Sequence, residues 1–182
     1  MPVYIYGVLV AGIIVWFTPF VFAHRKTTSA SIVDKRSRWG VLLQLAAFTL
    51  NWQGHFWLRQ LTLWRLIVCL VCFALAVLLS WTSARALGRE LRIDAALGAE
   101  HQLIRSGPYA VVRNPIYTSM LLVMCAIAVV ITPWRLFVGS LLLFVLGTEI
   151  RVRTEEVLLR EKFGEEFQDY KKNVPAYIPF LY

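Results

Sequence analysis

The sequence predicts an all-α, polytopic membrane protein of about five transmembrane helices, folded as one unit over residues 1–182. Three observations predict it. The 182 residues are 58% hydrophobic and 14% aromatic, too apolar for a soluble domain of this length. The apolar residues come in runs, several close to the roughly 20 residues that cross a bilayer. The basic residues, 19 Lys and Arg against 11 Asp and Glu, sit in the short segments between those runs. That placement reads as membrane topology rather than nucleic-acid binding.

The first run, residues 3–23, lacks a positive leading region and a cleavage site, so it is expected to stay as a membrane anchor. The second, residues 39–58, is interrupted by Gln44, Asn51, Gln53 and His55. These either line a substrate path or bond between helices, and the interhelical reading is favoured. Residues 61–82 form a third span, so residues 1–82 carry three. Residues 116–131 and 134–150 are two shorter runs joined by Thr132-Pro133. Proline cannot continue the first helix but suits the start of the second, which predicts a tight helical hairpin. Cys69, Cys72 and Cys125 all lie inside apolar runs and read as inert buried thiols, with neither a disulfide framework nor a metal site implied.

On this topology only Arg59, Arg65 and Arg135 fall on one face, and every other Lys and Arg falls on the opposite one. The positive-inside rule then makes the rich face cytoplasmic and the N-terminus external. Beyond the fifth span, Leu158, Leu159, Phe163, Phe167 and Tyr170 recur at roughly helical spacing, with Glu161, Lys162, Glu165 and Glu166 between them. This predicts an amphipathic tail, ended by Val174-Pro175 and Ile178-Pro179-Phe180.

Two polar clusters meet on the cytoplasmic face, brought together by the two-span hairpin between them. The first runs His101-Gln102-Leu103-Ile104-Arg105-Ser106-Gly107-Pro108-Tyr109, then Arg113-Asn114-Pro115-Ile116-Tyr117. It holds no dinucleotide fingerprint, no Walker motif and no metal-ligand spacing. It reads either as a structured interfacial loop of turn formers and belt aromatics or as part of a site holding a water-soluble cofactor at the membrane surface. In the second cluster, Arg151 and Glu155 are four residues apart on one helix face. They are either an ordinary ion pair, or an arginine fork for an anionic substrate group held by a carboxylate that also touches the cofactor. Glu156 and Arg153 project elsewhere and read as solvated or structural.

Taken together the clusters resemble the isoprenylcysteine carboxyl methyltransferase family, within the wider group that includes phospholipid N-methyltransferases. The resemblance covers about half the chain, from Leu87-Gly88-Arg89 to Phe180. It also takes in Arg151 to Glu156, Phe163-Gly164-Glu165-Glu166-Phe167 and Tyr170-Lys171-Lys172. It implies S-adenosylmethionine as cofactor, bound in a cytoplasmic pocket formed by the C-terminal half, residues 83–182. It further implies His101, Gln102, Leu103, Ile104, Tyr109, Asn114, Pro115, Ile116, Tyr117 and Glu155 as cofactor contacts. Arg151 would face the substrate and, with Glu155, serve catalysis. The implied partner is a lipid or prenylated small-molecule or peptide substrate entering from the bilayer, with no nucleic acid and no metal. The chain departs from the family at Asn114, where Arg-His-Pro is usual. Asparagine keeps hydrogen-bonding capacity but cannot titrate. Other readings are an amine N-methyltransferase, an NADPH-dependent reductase of the sterol type and a non-catalytic scaffold.

Overall fold

A computed structural model of the chain describes residues 4–24, 32–33, 36–53, 61–88, 96–97 and 102–177. The apolar runs fold as helices: α1 Tyr4–His24, α2 Ser37–Asn51, α3 Leu63–Leu87, α4 Pro115–Ile131 and α5 Trp134–Phe163, followed by the short α6 Glu165–Asn173. Pro133 marks the hairpin turn as expected, and a second proline opens its first helix. Pro115 occupies the first turn of α4 and Pro133 immediately precedes α5, positions where its missing N–H costs nothing. Gly88 closes α3 at φ 53° and Gly164 closes α5 at φ 52°, backbone conformations that a residue with a Cβ adopts only under strain. Nothing in the sequence pattern marks the short strand pair found among the described residues. The two-residue strands β1 Ile32–Val33 and β2 Ala96–Leu97 pair antiparallel, Ile32 opposite Leu97.

One expectation is corrected. The second span was expected over residues 39–58, but α2 is 15 residues long and ends at Asn51; residues 54–60, His55 among them, lie outside the described residues. The amphipathic tail comprises the end of α5 and the whole of α6, with Gly164 turning the chain between them.

The helices pack as α1 on α3, α3 on α4 and α2 along α5. One apolar cluster joins Ile5 and Leu9 of α1, Cys69, Phe73 and Ala76 of α3, and Val123, Ile127, Val130 and Ile131 of α4. Gly12 makes the α1–α3 approach possible, since a Cβ there would lie 2.7 Å from the Phe73 ring. A second cluster, Ala47, Met124 and Phe144, forms where α2, α4 and α5 meet. Polar side chains tie the helices together. Gln44 Nε2 donates to Thr148 Oγ1 at 2.9 Å, Asn51 Nδ2 to the Met124 carbonyl at 3.1 Å, and Trp16 Nε1 to Ser119 Oγ at 3.0 Å. The interhelical reading of Gln44 and Asn51 therefore holds, whereas Gln53 is exposed.

Two helical segments, Tyr4–Phe22 and Leu63–Leu87, are long and apolar enough to cross a membrane; α4 is apolar but shorter. Only 17% and 22% of the two crossing windows is buried within the chain. Ile14, Phe22, Leu63, Val71 and Leu78 all face outward. Apolar surface on that scale is characteristic of contact with lipid.

Asn51→Leu removes the tie to Met124 while keeping the volume. It is expected to cost about 0.6–2 kcal/mol, read as a lower Tm in detergent micelles, and Gln53→Leu should leave Tm unchanged.

Candidate active site

Because α5 continues past its apolar half, it carries Arg151 and Glu155 one turn apart, beside the first turn of α4. Tyr117 projects from that turn and joins them. Arg151 Nε donates to the Tyr117 hydroxyl at 2.7 Å, and that hydroxyl donates to Glu155 Oε1 at 2.6 Å. The direct Arg151 Nη2 to Glu155 Oε1 distance is longer, 3.6 Å, so the tyrosine hydroxyl closes the pair. The guanidinium also lies 5.5 Å from the centre of the Tyr117 ring, a cation–π contact. Arg151 is only 7% exposed. A charge that deep requires fixed partners, unlike the loose surface pairs that contribute a few tenths of a kcal/mol.

Glu155 keeps 30% side-chain exposure, yet the protein around it holds its carboxyl above the ordinary carboxylate range. Desolvation is the main cause, with the Arg151 charge and the Tyr117 hydrogen bond pulling the other way.

Tyr109 sits in a 3₁₀ turn, Gly107–Ala110. Gly107 has φ 62°, and a Cβ there would sit 3.6 Å from Ala86 of α3, so the turn lies close on the end of that helix. The buried Tyr109 phenol is pushed far up, first by burial, then by the nearby charges of Glu155 and Tyr170, with the Ser83 hydroxyl pulling down. Ser83 Oγ is itself fully buried. Ser83, Tyr109, Tyr117, Arg151 and Glu155 thus form one polar cluster drawn from α3, the 3₁₀ turn, α4 and α5.

The C-terminal segment straps this cluster from outside. Arg113 N donates to the Pro175 carbonyl at 2.8 Å, and Arg113 Nε to the Val174 carbonyl at 2.8 Å. Asn114 reaches the Ala176 carbonyl twice, through its backbone N and through Nδ2, each at 3.1 Å. Thr118 Oγ1 donates to the Tyr177 carbonyl at 2.8 Å. Glu156 bridges Arg113 and Lys171, which makes it the structural carboxylate of the pair Glu155–Glu156. Arg153 is exposed and pairs with Glu149 at 2.7 Å. Tyr170, whose hydroxyl donates to the Tyr109 carbonyl at 2.6 Å, is pushed up to about 12 by burial, against the Arg113 and Arg105 charges.

Of the residues singled out from sequence, the structure gathers Tyr109, Tyr117, Arg151 and Glu155. The Asn114 side chain is engaged with the tail, Pro115 is buried and Ile116 half-buried at the head of α4. Gln102 is exposed, with Leu103 and Ile104 half-buried before the 3₁₀ turn. His101, like Ile178-Pro179-Phe180, lies outside the described residues. Among the described residues no group of His, Cys, Asp or Glu is placed to hold a metal ion. Ser83 and the Arg113–Glu156–Lys171 clamp carry no sequence signal, because a serine in an apolar run and charges in a tail are ordinary.

The family model for phospholipid methyltransferases matches residues 64–166, more than half of the chain and all of this cluster. The chain belongs to the phospholipid methyltransferase family. Relatives of this family member include protein-S-isoprenylcysteine O-methyltransferase of Mus musculus, 35% identical over 44% of this chain and 29% of that protein. The Homo sapiens protein of the same name is 34% identical over 44% of this chain and 28% of that protein. Protein-S-isoprenylcysteine O-methyltransferase B of Arabidopsis thaliana is 23% identical over 87% of this chain and 81% of that protein. The match to the mammalian relatives therefore spans less than a third of their length.

Two outcomes follow from the Tyr117 bridge. Tyr117→Phe strips Arg151 of an acceptor and Glu155 of a donor; it should cost about 1.5–3 kcal/mol and raise the Glu155 carboxyl further, read by Tm and by infrared titration of the carboxyl band. Because the folded protein favours the neutral carboxyl, stability from this group is full below the ordinary glutamate range and declines as pH rises through the raised value. Glu155→Gln should remove that decline from a plot of Tm against pH.

Proposed function

We propose that the chain is an S-adenosylmethionine-dependent methyltransferase that esterifies the carboxylate of a lipid-like acid of the isoprenylcysteine type. The observation that carries this reading is Arg151, buried and oriented by Tyr117 and Glu155 inside the family-matched region. The names of the relatives support the acceptor class.

The residues present suit the cofactor. Its sulfonium and ammonium groups are cationic, and the Glu155 carboxylate, whose charge is felt at the Tyr109 phenol, offers with that ring the anionic, aromatic surroundings that cations favour. His101, Gln102, Leu103, Ile104, Tyr109, Asn114, Pro115, Ile116, Tyr117 and Glu155 hold it in this reading. Bound there, it supplies a methyl group already activated for displacement. The acceptor carboxylate, with an ordinary pKa of about 4, is ionised at neutral pH and needs no general base. Arg151 binds it as a planar fork, and because its partners fix the guanidinium, little orientational freedom is lost when the acceptor arrives. The strap formed by the tail keeps water from the reacting atoms.

One membrane unit with five spans fits this chemistry. Beyond α1 and α3, Leu42 and Leu45 of α2 and Val138, Leu142 and Val145 of α5 also face outward. With the N-terminus external and the site cytoplasmic, the soluble cofactor enters from the cytoplasm and the lipid acceptor from the bilayer. The raised Glu155 carboxyl favours one second reading, methylation of an amine head group, because a carboxyl poised nearer neutrality is the better base. Lability of the product to mild base separates an ester from an amine.

Calorimetry of S-adenosylmethionine with detergent-purified protein should show micromolar binding that Tyr109→Ala and Glu155→Ala abolish. Absence of binding in the wild type sinks the reading. Affinity should fall with acidification at a higher pH than an ordinary glutamate would give, since Glu155 must be ionised to attract a cation. Arg151→Ala should keep cofactor binding and lower methylation of an S-prenylated N-acetylcysteine by about 100-fold or more; unchanged turnover would remove Arg151 from the mechanism.

A further inference from the structure

A close glycine contact reaches the site from outside the family-matched residues 64–166. A Cβ on Gly40 of α2 would lie 2.5 Å from Arg151 Cγ, 3.3 Å from Arg151 Cδ and 2.6 Å from the Gly147 carbonyl oxygen. A Cβ on Gly147 would meet the Gly40 carbonyl oxygen at 2.7 Å and Leu43 Cβ at 2.9 Å. The two backbones therefore touch, one turn of α5 before the arginine. Gln44 Nε2 donates to Thr148 Oγ1 at 2.9 Å between fully buried side chains, which fixes the register of α2 against that turn. The stem of Arg151 occupies the volume that any side chain at position 40 would take. Its Nε is meanwhile held by Tyr117 on the opposite side.

We infer that α2 is the back wall of the acceptor site and that Gly40 is a positioning residue, setting the aim of the Arg151 guanidinium toward the acceptor carboxylate. This rests on Arg151 being the acceptor's anchor. Small residues between membrane helices generally serve packing alone. Here the glycine faces a functional side chain as well as a backbone, and the Gln44–Thr148 bond keeps the two helices from sliding to absorb a change. Displacing the guanidinium by even an ångström weakens recognition that depends on a fork. Of the residues assigned to the cofactor, Tyr117 and Glu155 touch Arg151, whereas the 3₁₀ turn and Asn114–Ile116 stand away from Gly40, so a shift there should disturb the acceptor far more than the cofactor.

The test measures binding of an S-prenylated N-acetylcysteine and of S-adenosylmethionine by calorimetry, together with acceptor KM and kcat, on the full chain in detergent. Gly40→Ala should weaken acceptor binding and raise its KM on the order of 10–100-fold, with cofactor affinity changed by less than about twofold. Gly139→Ala, on the same helix seam but meeting only a Leu50 methyl at 3.3 Å, should change neither. In an Arg151→Lys background, where the fork is already gone, Gly40→Ala should add little, whereas a purely structural loosening would multiply. Thr148→Val, which unties Gln44 without adding bulk, should shift acceptor KM the same way by less, and it decides the matter should Gly40→Ala fail to fold. An unchanged acceptor KM in these variants, or equal losses of cofactor and acceptor binding, overturns the inference while leaving the proposed function standing. A wild type that binds cofactor but no prenylated acid overturns the acceptor reading, and the inference with it.

Discussion

A guanidinium removed from water beside apolar helices constrains everything around it. Arg151 needs an acceptor for Nε, a compensating charge and a packed stem, and these come from three helices: Tyr117 of α4, Glu155 of α5 and Gly40 of α2. Removing one partner of such a group leaves a buried charge uncompensated, a loss of about 3–5 kcal/mol. The hairpin of α4 and α5, the position of Pro115 and the approach of α2 all have to agree before the arginine is satisfied.

The same economy of partners organises the outer layer. Glu156, next to Glu155 in sequence, faces away from the cluster and joins Arg113 to Lys171. Two adjacent carboxylates thus divide their work by helix geometry. Glu155 is desolvated against Tyr117 with its carboxyl raised, and Glu156 sits between two cations that tie α6 and the tail to the head of α4. Asn114 belongs to this second group through its donor bond to Ala176. That is a task for a neutral amide and needs no titrating side chain, which gives the departure at this position a physical account in this chain.

Membership of the phospholipid methyltransferase family rests on residues 64–166, and α2 lies before them. Yet α2 meets α5 backbone to backbone, at Gly40 and Gly147. A region carrying no family signature can shape a site through backbone proximity alone, because what it contributes is the absence of a side chain.

The sequence by itself determined the all-helical class, the hairpin about Thr132-Pro133 and the pairing of Arg151 with Glu155, because apolar period, proline geometry and the four-residue helical repeat are local properties. It also marked Tyr109 and Tyr117 and the interhelical duty of Gln44 and Asn51, since polar groups in apolar runs have few alternatives. It could not place the end of α2 at Asn51, the break at Gly164 or the short β1–β2 ladder, where local preference is weak and tertiary contacts decide. Nor could it show that a tyrosine hydroxyl closes the Arg151–Glu155 pair, that Ser83 lies beside Tyr109 or that Gly40 faces Arg151. Those are distances between residues up to 111 positions apart, set only when the helices pack.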